Sequence, residues 1–252
     1  MRAFYSAIAL TLFSLVCAGA QRQMSDREWD ELKGNVQKVT TESAKLENKS
    51  DKLVEGKRQL HSITLYDKEG NRVKEVIYSS KGDEEVLREY GFIDGNRVVK
   101  EQFNYGYGTG GVYPSGKSQA KPPDPRYTNR FEYKYDDKGN RIEEIWYRNN
   151  GNLLGRRVSV YDKSGNRTEV VWYMKDGKLL DRTVFTYDES GSLKEESSTR
   201  TDTDMTWKWS YSDYEYDSHG NWIKRKKMRW VTKGGSAYFE PYEITYRTIS
   251  YF

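Results

Sequence analysis

Cysteine is nearly absent from this 252-residue sequence, which contains one cysteine, two histidines and five prolines. The single cysteine, Cys17, lies inside an apolar N-terminal stretch. If that stretch is removed on export, the remaining chain has no thiol. A disulfide framework and thiol chemistry are then both excluded.

Long hydrophobic runs are also missing, apart from the segment between Ala7 and Cys17. Arg2 precedes this segment and Ala18-Gly19-Ala20 follows it, which is the pattern of a secretory signal peptide over residues 1–20. The segment is too short for a transmembrane helix. We therefore expect an exported protein, periplasmic or extracellular, that begins at Gln21; the alternative is a lipoprotein anchored through Cys17.

The two histidines give no indication of chemistry. His61 begins a strand without a partner motif, and His219 holds a turn position that other copies of the turn fill with Glu69, Lys138 or Ser164. A position that accepts such different side chains is typical of exposed residues. No nucleophile-elbow, zinc-protease or EF-hand spacing is present. The sequence predicts no catalytic residue, no metal site and no cofactor, and a protein that is not an enzyme.

Paired carboxylates do not change this prediction. Glu143-Glu144 and Glu195-Glu196 are adjacent on predicted strands, so the two members of each pair point to opposite faces and cannot act as an acid/base dyad. A glycoside hydrolase built from carboxylates on different strands remains a remote alternative. Each aspartate-bearing turn supplies one or two carboxylates, whereas calcium requires six or more oxygen ligands.

Neither sign of charge dominates, since the formal net charge is +4 and positive and negative residues alternate along the chain. This argues against nucleic acid, whose binding requires a surface of one sign. The only basic run is Lys224-Arg225-Lys226-Lys227. We expect it to form a solvated or edge-protecting strand face. The alternative is contact with an anionic partner such as a polysaccharide or a membrane surface.

Aromatic residues are abundant, with 21 tyrosines and 7 tryptophans, whereas hydrophobic residues of all kinds make up only 35% of the chain. Aliphatic residues are too scarce to fill a thick two-layer core. We therefore expect aromatic rings to supply much of the buried area, because a tyrosine ring packs while its hydroxyl reaches water.

A repeated turn organises the chain. Its pattern is Asp-x-x-Gly, in which the aspartate accepts backbone hydrogen bonds and the glycine takes a left-handed conformation that closes a hairpin. The structural turn residues are Asp67, Gly70, Asp136, Gly139, Asp162, Gly165, Asp188, Gly191, Asp217 and Gly220. A second series of Gly-containing turns lies between them, so that Gly139, Gly151, Gly165, Gly177 and Gly191 are alternately 12 and 14 residues apart.

A chain that reverses at such short, regular intervals forms an antiparallel meander. The pattern predicts an all-β protein of about a dozen strands in a twisted, curled single sheet. A closed barrel is the alternative.

The turn residues resemble those of the YD-repeat, or Rhs-type, family. The resemblance rests on Tyr-Asp-x-x-Gly-Asn-Arg beginning at Tyr66, Tyr135 and Tyr161, and it covers roughly residues 57–252 with one interruption. The copies at Tyr187 and Tyr216 depart from the pattern, because the first lacks Asn-Arg and the second has Asn-Trp. Large members of this family enclose a toxin, but the chain is more similar to short exported bacterial members, so the enclosing role does not carry over.

The N-terminal part of the mature chain is expected to be separate from the repeats. Ser25-Asp26-Arg27-Glu28 has the pattern of a capping box that begins a short helix ending at Gly34. We expect this helix to cover the first edge of the sheet. A first strand over Val36–Ser43 and a polar connector over residues 44–56 complete a segment of residues 21–56, and the β-meander domain then occupies residues 57–252. The alternating C-terminal residues are expected to form the last edge.

Two places are candidates for ligand contact. Residues 104–126 form a Gly/Pro/Tyr-rich insertion in which Tyr105, Tyr107 and Tyr113 would be the contacts of a flap, unless the insertion is disordered. Trp207 and Trp209 lie two residues apart on one strand face. They either pack against Trp222 and Trp230 or form an exposed stacking surface for sugar rings.

We therefore interpret the chain as an exported, non-enzymatic binding or interaction module for a glycan or a cell-envelope protein. The alternative is a purely structural, envelope-associated repeat protein.

Overall fold

A computed structural model describes residues 23–50, 52–93, 96–103, 128–148 and 150–252. The predicted signal peptide and the whole of the predicted insertion, including Tyr105, Tyr107 and Tyr113, lie outside the described residues.

In the described part of the chain, one short helix precedes a long series of strands. The elements are α1 (Asp26–Trp29), β1 (Val36–Lys49), β2 (Lys52–Glu55), β3 (Gln59–Tyr66), β4 (Arg72–Tyr78), β5 (Glu84–Ile93), β6 (Asn96–Phe103), β7 (Thr128–Tyr135), β8 (Arg141–Arg148), β9 (Leu153–Tyr161), β10 (Arg167–Met174), β11 (Leu179–Tyr187), β12 (Leu193–Arg200), β13 (Met205–Tyr216), β14 (Trp222–Lys233) and β15 (Ser236–Tyr251). Within the described residues, no helix has the length and hydropathy needed to cross a membrane.

The Asp-x-x-Gly turns fold as their chemistry requires. In the turn between β7 and β8, the Asp136 carboxylate accepts hydrogen bonds from the backbone N–H groups of Lys138 and Asn140, at 3.0 and 2.8 Å. Gly139 has φ +85°, a left-handed conformation that glycine adopts without the steric cost of a Cβ atom. The glycines of the four other such turns have φ between +78° and +88°.

Each of these turns is followed by a bulge that fixes which side chains share a face. Tyr135 pairs with Arg141, whereas the preceding Lys134 pairs with Glu143, so one extra residue lies on β8. The tyrosine before the turn and the arginine after it therefore lie on the same side of the sheet. Tyr66 and Arg72, and Tyr161 and Arg167, have the same relation.

The sheet closes on itself. Strand β1 pairs with β3 on one side and with β15 on the other, with a register from Val36↔Tyr251 to Lys45↔Glu243. Fourteen strands, β1 and β3–β15, therefore form a closed antiparallel barrel, and β2 pairs only with the end of β1. The all-β antiparallel prediction is confirmed. The expected open, curled sheet is wrong, and so is a C-terminal strand that forms an edge.

The predicted connector over residues 44–56 is also wrong. Strand β1 continues to Lys49, and its last residues pair with β2, from Leu46↔Glu55 to Lys49↔Lys52. This hairpin extends β1 beyond its pairing with β15. Its residues are mostly exposed on both faces, and for that reason its composition resembles that of a loop.

The outer wall of the barrel is charged. On neighbouring strands, Glu143 accepts ion pairs from Lys134 at 2.6 Å and from Arg156 at 2.9 Å. Glu169 and Arg182 form another cross-strand pair at 2.5 Å. Such exposed pairs each contribute roughly 0.2–1 kcal/mol to sheet stability. Because charge covers the outside, most of the buried aromatic surface must lie within the barrel.

Replacing Gly155 in β9 tests how closely the strands approach each other. A Cβ atom at Gly155 would lie 2.6 Å from the backbone oxygen of Tyr173 on β10, so that Gly155→Ala must displace a strand. We expect a loss of roughly 1–3 kcal/mol in the free energy of unfolding, measured by urea titration.

The matched control is Gly91→Ala in β5, where the nearest atom to an added Cβ is a Val98 methyl at 4.0 Å. We expect this variant to be as stable as the parent or slightly more so, because alanine restricts the unfolded chain. Equal stability of the Gly155 and Gly91 variants would contradict the close approach.

Candidate functional site in the plugged barrel interior

Helix α1 lies inside one end of the barrel. Asp26 contacts Arg97 on β6, Trp29 contacts Arg167 on β10, and the backbone N–H of Lys33 donates to the Asn221 side chain beside β14. A four-residue helix can reach these separate parts of a closed ring only from within it. We call residues 24–34 the plug, and the barrel end that holds it the plugged end. The expected role of the helix as an edge cover is wrong, because the closed ring leaves no such edge for it to cover.

The sequence predicted the start of this helix. The Ser25 side chain accepts a hydrogen bond from the Glu28 N–H, and the Glu28 carboxylate accepts one from the Ser25 N–H at 2.9 Å. This capping box holds the first turn without support from a longer helix. Met24 and Arg27 donate backbone hydrogen bonds to Gly139 and Gly70, and these bonds tie the plug to two Asp-x-x-Gly turns.

Asp26 is the electrostatic centre of the plug. Its carboxylate lies 2.6 Å from Arg97 and 2.9 Å from Arg141, and it accepts the Arg72 backbone N–H at 2.9 Å. Burial alone would raise the pKa of Asp26, but the guanidinium groups of Arg141 and Arg97 outweigh burial and hold the pKa below its usual value. Asp26 therefore remains ionised between two buried arginines.

Two further plug residues, Asp30 and Leu32, also contact side chains of the barrel wall. The Asp30 carboxylate lies 2.6 Å from the Arg72 guanidinium, and it also accepts the Tyr66 hydroxyl. Burial and the nearby Asp30 charge raise the pKa of Tyr66, so this tyrosine stays neutral. Leu32 packs with Val36, Val39 and Tyr66 in a small apolar cluster beside the carboxylates.

The arginines of the repeats surround the plug. Arg72, Arg97, Arg141 and Arg167 each follow a Gly-Asn pair in the sequence, and all four point inward. The Trp29 ring lies between Arg141 at 5.1 Å, Arg157 at 4.9 Å and Arg167 at 4.2 Å, measured from guanidinium carbon to ring centre. Cation–π contacts of this kind contribute about 0.5–2 kcal/mol each. The inward role of these arginines was not predicted from the sequence, although their fixed place after Gly-Asn and the acidic residues of the helix were visible signals.

A cavity of about 620 Å³ separates the plug from the wall formed by β9–β14, and we call it the larger plug cavity. Its aromatic lining residues are Trp29, Tyr161, Tyr187, Tyr214, Tyr216 and Trp222. Its charged lining residues include Glu28 and Glu31 from the plug and Arg167 and Arg225 from the wall. A second cavity of about 570 Å³, on the other side of Asp26, is lined by Phe92, Phe131, Tyr133, Tyr135, Arg97 and Arg141 among others.

Three of the four tyrosines of the larger plug cavity are held in fixed orientations by the backbone. Their hydroxyls donate to backbone oxygens of the neighbouring strand, Tyr161 to Arg141 at 3.0 Å, Tyr187 to Arg167 at 2.9 Å and Tyr214 to Leu193 at 2.7 Å. Burial raises the pKa of Tyr161 to about 12, so its hydroxyl remains a donor at neutral pH. Because the hydroxyls are occupied, these residues present their ring faces to the cavity.

The basic run on β14 is divided between the two sides of the wall. Lys224 and Lys226 form exposed ion pairs with Glu215 at 2.6 Å and Asp213 at 3.7 Å. Arg225 and Lys227 lie on the opposite face, over the rings of Trp222 at 4.1 Å and Trp209 at 4.0 Å. The expected solvated face is therefore correct for the first two residues and wrong for the other two, which point into the barrel.

Trp207 and Trp209 share one face of β13, and that face lines the interior. Trp209 packs against Tyr242, with ring centres 5.0 Å apart, and Trp207 is 38% exposed. Trp230 lies on the other side of the wall, where its ring contacts Phe239 at 4.9 Å. The expected packing of the pair against Trp222 and Trp230 is therefore wrong. Trp146 and Trp172 form a further interior contact, with ring centres 4.4 Å apart.

The positions of His219 and of the metal-ligating residue types can be compared with the sequence prediction. His219 is an exposed turn residue whose ring stacks on Tyr251, with ring centres 3.9 Å apart. Across the residues that the structure describes, no three side chains of His, Cys, Asp or Glu are grouped as a metal ion would require.

Neither a protein-family model nor a curated protein matches the sequence. Among solved structures, a porin-like protein from Bacteroides uniformis is 11% identical, with a TM-score of 0.44, and the match covers 85% of this chain and 98% of that chain. A porin-like protein from Bacteroides vulgatus is 13% identical, with a TM-score of 0.38 and coverages of 86% and 98%. A DUF1329 family protein from Desulfovibrio piger is 12% identical, with a TM-score of 0.25 and coverages of 86% and 86%. All three likenesses are below 25% identity and below a TM-score of 0.5, and no function follows from them.

Replacing Asp26 tests whether the plug is held by charge. Asp26→Asn leaves Arg97 and Arg141 buried without their shared anion, and removal of one partner of a buried ion pair typically costs about 3–5 kcal/mol. We expect a loss of that size in the free energy of unfolding at pH 7. Asp202→Asn is the control, because Asp202 and Arg200 form an exposed pair at 2.8 Å that should contribute less than about 1 kcal/mol.

The same residue predicts a pH dependence. The folded-state pKa of Asp26 lies below its unfolded value of about 3.9, so its stabilisation is complete above that value and is lost as the pH falls through the folded pKa. The parent should therefore lose more stability between pH 5 and pH 2 than Asp26→Asn does, as measured by thermal unfolding. If the parent and Asp26→Asn lost the same amount of stability between pH 5 and pH 2, the electrostatic role of Asp26 would be contradicted.

Proposed function

We propose that this chain is an exported, non-enzymatic binding protein that holds a glycan between the plug and the barrel wall. The observation that carries the proposal is the aromatic lining of the larger plug cavity, in which six rings from the plug and the wall surround one space. Aromatic faces pack against the apolar faces of sugar rings, while nearby polar groups satisfy the hydroxyls.

Rigid presentation of these rings supports the proposal. The hydroxyls of Tyr161, Tyr187 and Tyr214 are bonded to backbone oxygens of paired strands, so the rings are already oriented before a ligand arrives. A preorganised site loses less conformational entropy on binding than a flexible one.

A binding role is favoured over catalysis by the partners of the plug carboxylates. Glu28 is held in the capping box by Ser25, and Glu31 lies beside the Tyr187 hydroxyl, whose pKa is raised by burial and by the Glu31 charge. The Glu28 carboxylate of the larger plug cavity thus has a structural role in the helix cap. Export, which the signal-peptide pattern of residues 1–20 supports, would bring such a site into contact with envelope or extracellular polysaccharides.

A glycan array with the purified chain tests the proposal, and Tyr216→Ala tests the site. Tyr216 stacks on Tyr214, with ring centres 5.7 Å apart, and is 46% exposed, so its removal should leave the barrel folded. We expect the affinity for the best array ligand to fall about fivefold or more, as for the loss of about 1 kcal/mol at an aromatic contact.

Tyr238→Ala is the matched control. Tyr238 is 43% exposed and lies near the β14–β15 turn, at the opposite end of the barrel from the plug. Its replacement should leave glycan affinity unchanged. An array without a binding glycan, or an equal loss of affinity in both variants, would overturn the proposal and favour a purely structural envelope role.

A further inference from the structure

Seven arginines have buried Nε atoms that lack a hydrogen-bond partner among the described residues. These are Arg72, Arg97, Arg141, Arg157, Arg167, Arg225 and Arg247. So many guanidinium groups in one interior require compensating negative charge, because burial of an unpaired charge is costly. The barrel supplies that charge unevenly.

On one side of the plug the arginines are paired. Arg72 lies 2.6 Å from Asp30, Arg97 lies 2.6 Å from Asp26, and Arg157 lies 2.7 Å from Glu144. Arg141 shares Asp26, at 2.9 Å. Each of these four guanidinium groups has a carboxylate from the plug or from a neighbouring strand.

On the other side the pairing stops. Arg167, Arg225 and Arg247 have no carboxylate within ion-pair distance in the described part of the chain, and they lie over aromatic rings instead. Arg167 lies 4.2 Å from the Trp29 ring centre. Arg225 and Arg247 lie 4.1 Å and 3.6 Å from the ring centre of Trp222.

The pKa values of the arginines also differ between the two sides of the plug. Despite burial, the nearby Asp30 raises the pKa of Arg72 well above its usual value. Burial and the adjacent Arg225 instead lower the pKa of Arg247 to about 10. A lowered arginine pKa is the direction expected where the protein does not neutralise the positive charge, and a raised pKa is the direction expected where it does.

The uncompensated charge faces the larger plug cavity. Arg167 and Arg225 line this cavity directly, and Arg247 contacts Trp222, one of its lining residues. Of the carboxylates that also line it, Glu28 is held in the capping box with Ser25, and Glu31 lies beside the Tyr187 hydroxyl, whose pKa is raised by burial and by the Glu31 charge. Neither carboxylate forms an ion pair with Arg167 or Arg225 in the described part of the chain, so both guanidinium groups are left to pair with a negative group of a ligand.

We infer that the larger plug cavity selects an acidic glycan, whose carboxylate or sulfate group is held by Arg167 and Arg225 while its sugar rings pack on the surrounding aromatic residues. The inference rests on the function proposed above and names its class of ligand. Guanidinium groups suit this role, because their planar array of donors matches carboxylate and sulfate oxygens in pairs.

The experiment uses an array of neutral, uronic-acid-containing and sulfated oligosaccharides with the purified chain. Binding confined to the acidic members would support the inference. Equal binding of neutral members would overturn it and leave the glycan-binding proposal intact. If no member binds, the proposed function itself fails, and the inference fails with it.

Variants on one strand then locate the site. Arg225→Gln should weaken binding of the best acidic ligand roughly tenfold or more, as for the loss of a charge-assisted hydrogen bond. Arg225→Lys, which keeps the charge but loses the planar fork, should have an intermediate affinity. Lys226→Gln makes the same charge change on the outer wall, where Lys226 faces Asp213, and should bind as the parent does.

Thermal unfolding followed by circular dichroism checks that each variant is folded before its affinity is compared. If Lys226→Gln weakens binding as much as Arg225→Gln, the effect comes from the general charge of the protein, and the inference is overturned. Unchanged affinity in a folded Arg225→Gln protein would overturn it as well.

Discussion

The ion pairs between Asp26 and two buried arginines are the constraint on which the rest of the interior depends. Arg97 and Arg141 come from strands β6 and β8, and both are almost fully buried. A barrel with this many inward cations cannot be filled by aliphatic side chains. The acidic plug resolves the conflict, because it brings carboxylates into the ring at the point where the repeat places its arginines.

The interior and the wall are therefore built by different means. The wall is mostly local: each hairpin is set by its own turn, and from β3 to β15 each strand pairs with the next strand in sequence, whereas β1 closes the ring by pairing with β3 and β15. The interior is not local, since Asp26 reaches residues 71 and 115 positions further along the chain. The hairpin turns are closed by hydrogen bonds within each turn, whereas Arg72, Arg97 and Arg141 have carboxylate partners on the plug. This division explains why a helix of four residues is held so firmly.

The hairpins could be predicted from the sequence, because glycine at Gly139 or Gly165 marks a left-handed position and the preceding aspartate caps the turn. Closure of the sheet into a barrel could not be predicted, because no local sequence pattern shows that Val36 of β1 will pair with Tyr251 of β15. The shared face of Trp207 and Trp209 followed from their spacing. Their spacing did not show which face of β13 is interior. Hydrophobic residues normally mark the interior face of a strand, and here both faces of the sheet carry charged residues. The larger plug cavity joins residues from seven elements, and only their closure brings them together.

The size of the plug sets a limit on the number of repeats. One more unit of two hairpin strands would increase the diameter of the ring by about 4 Å, from the usual strand spacing and tilt. The plug contacts separate parts of the ring, through Asp26 to Arg97 on β6 at 2.6 Å and through the Lys33 N–H to Asn221 beside β14 at 2.7 Å, and a ring wider by this amount would separate one of these pairs. The short helix therefore fits a barrel of this circumference only. Gain or loss of a repeat in this protein would require a compensating change in residues 24–34.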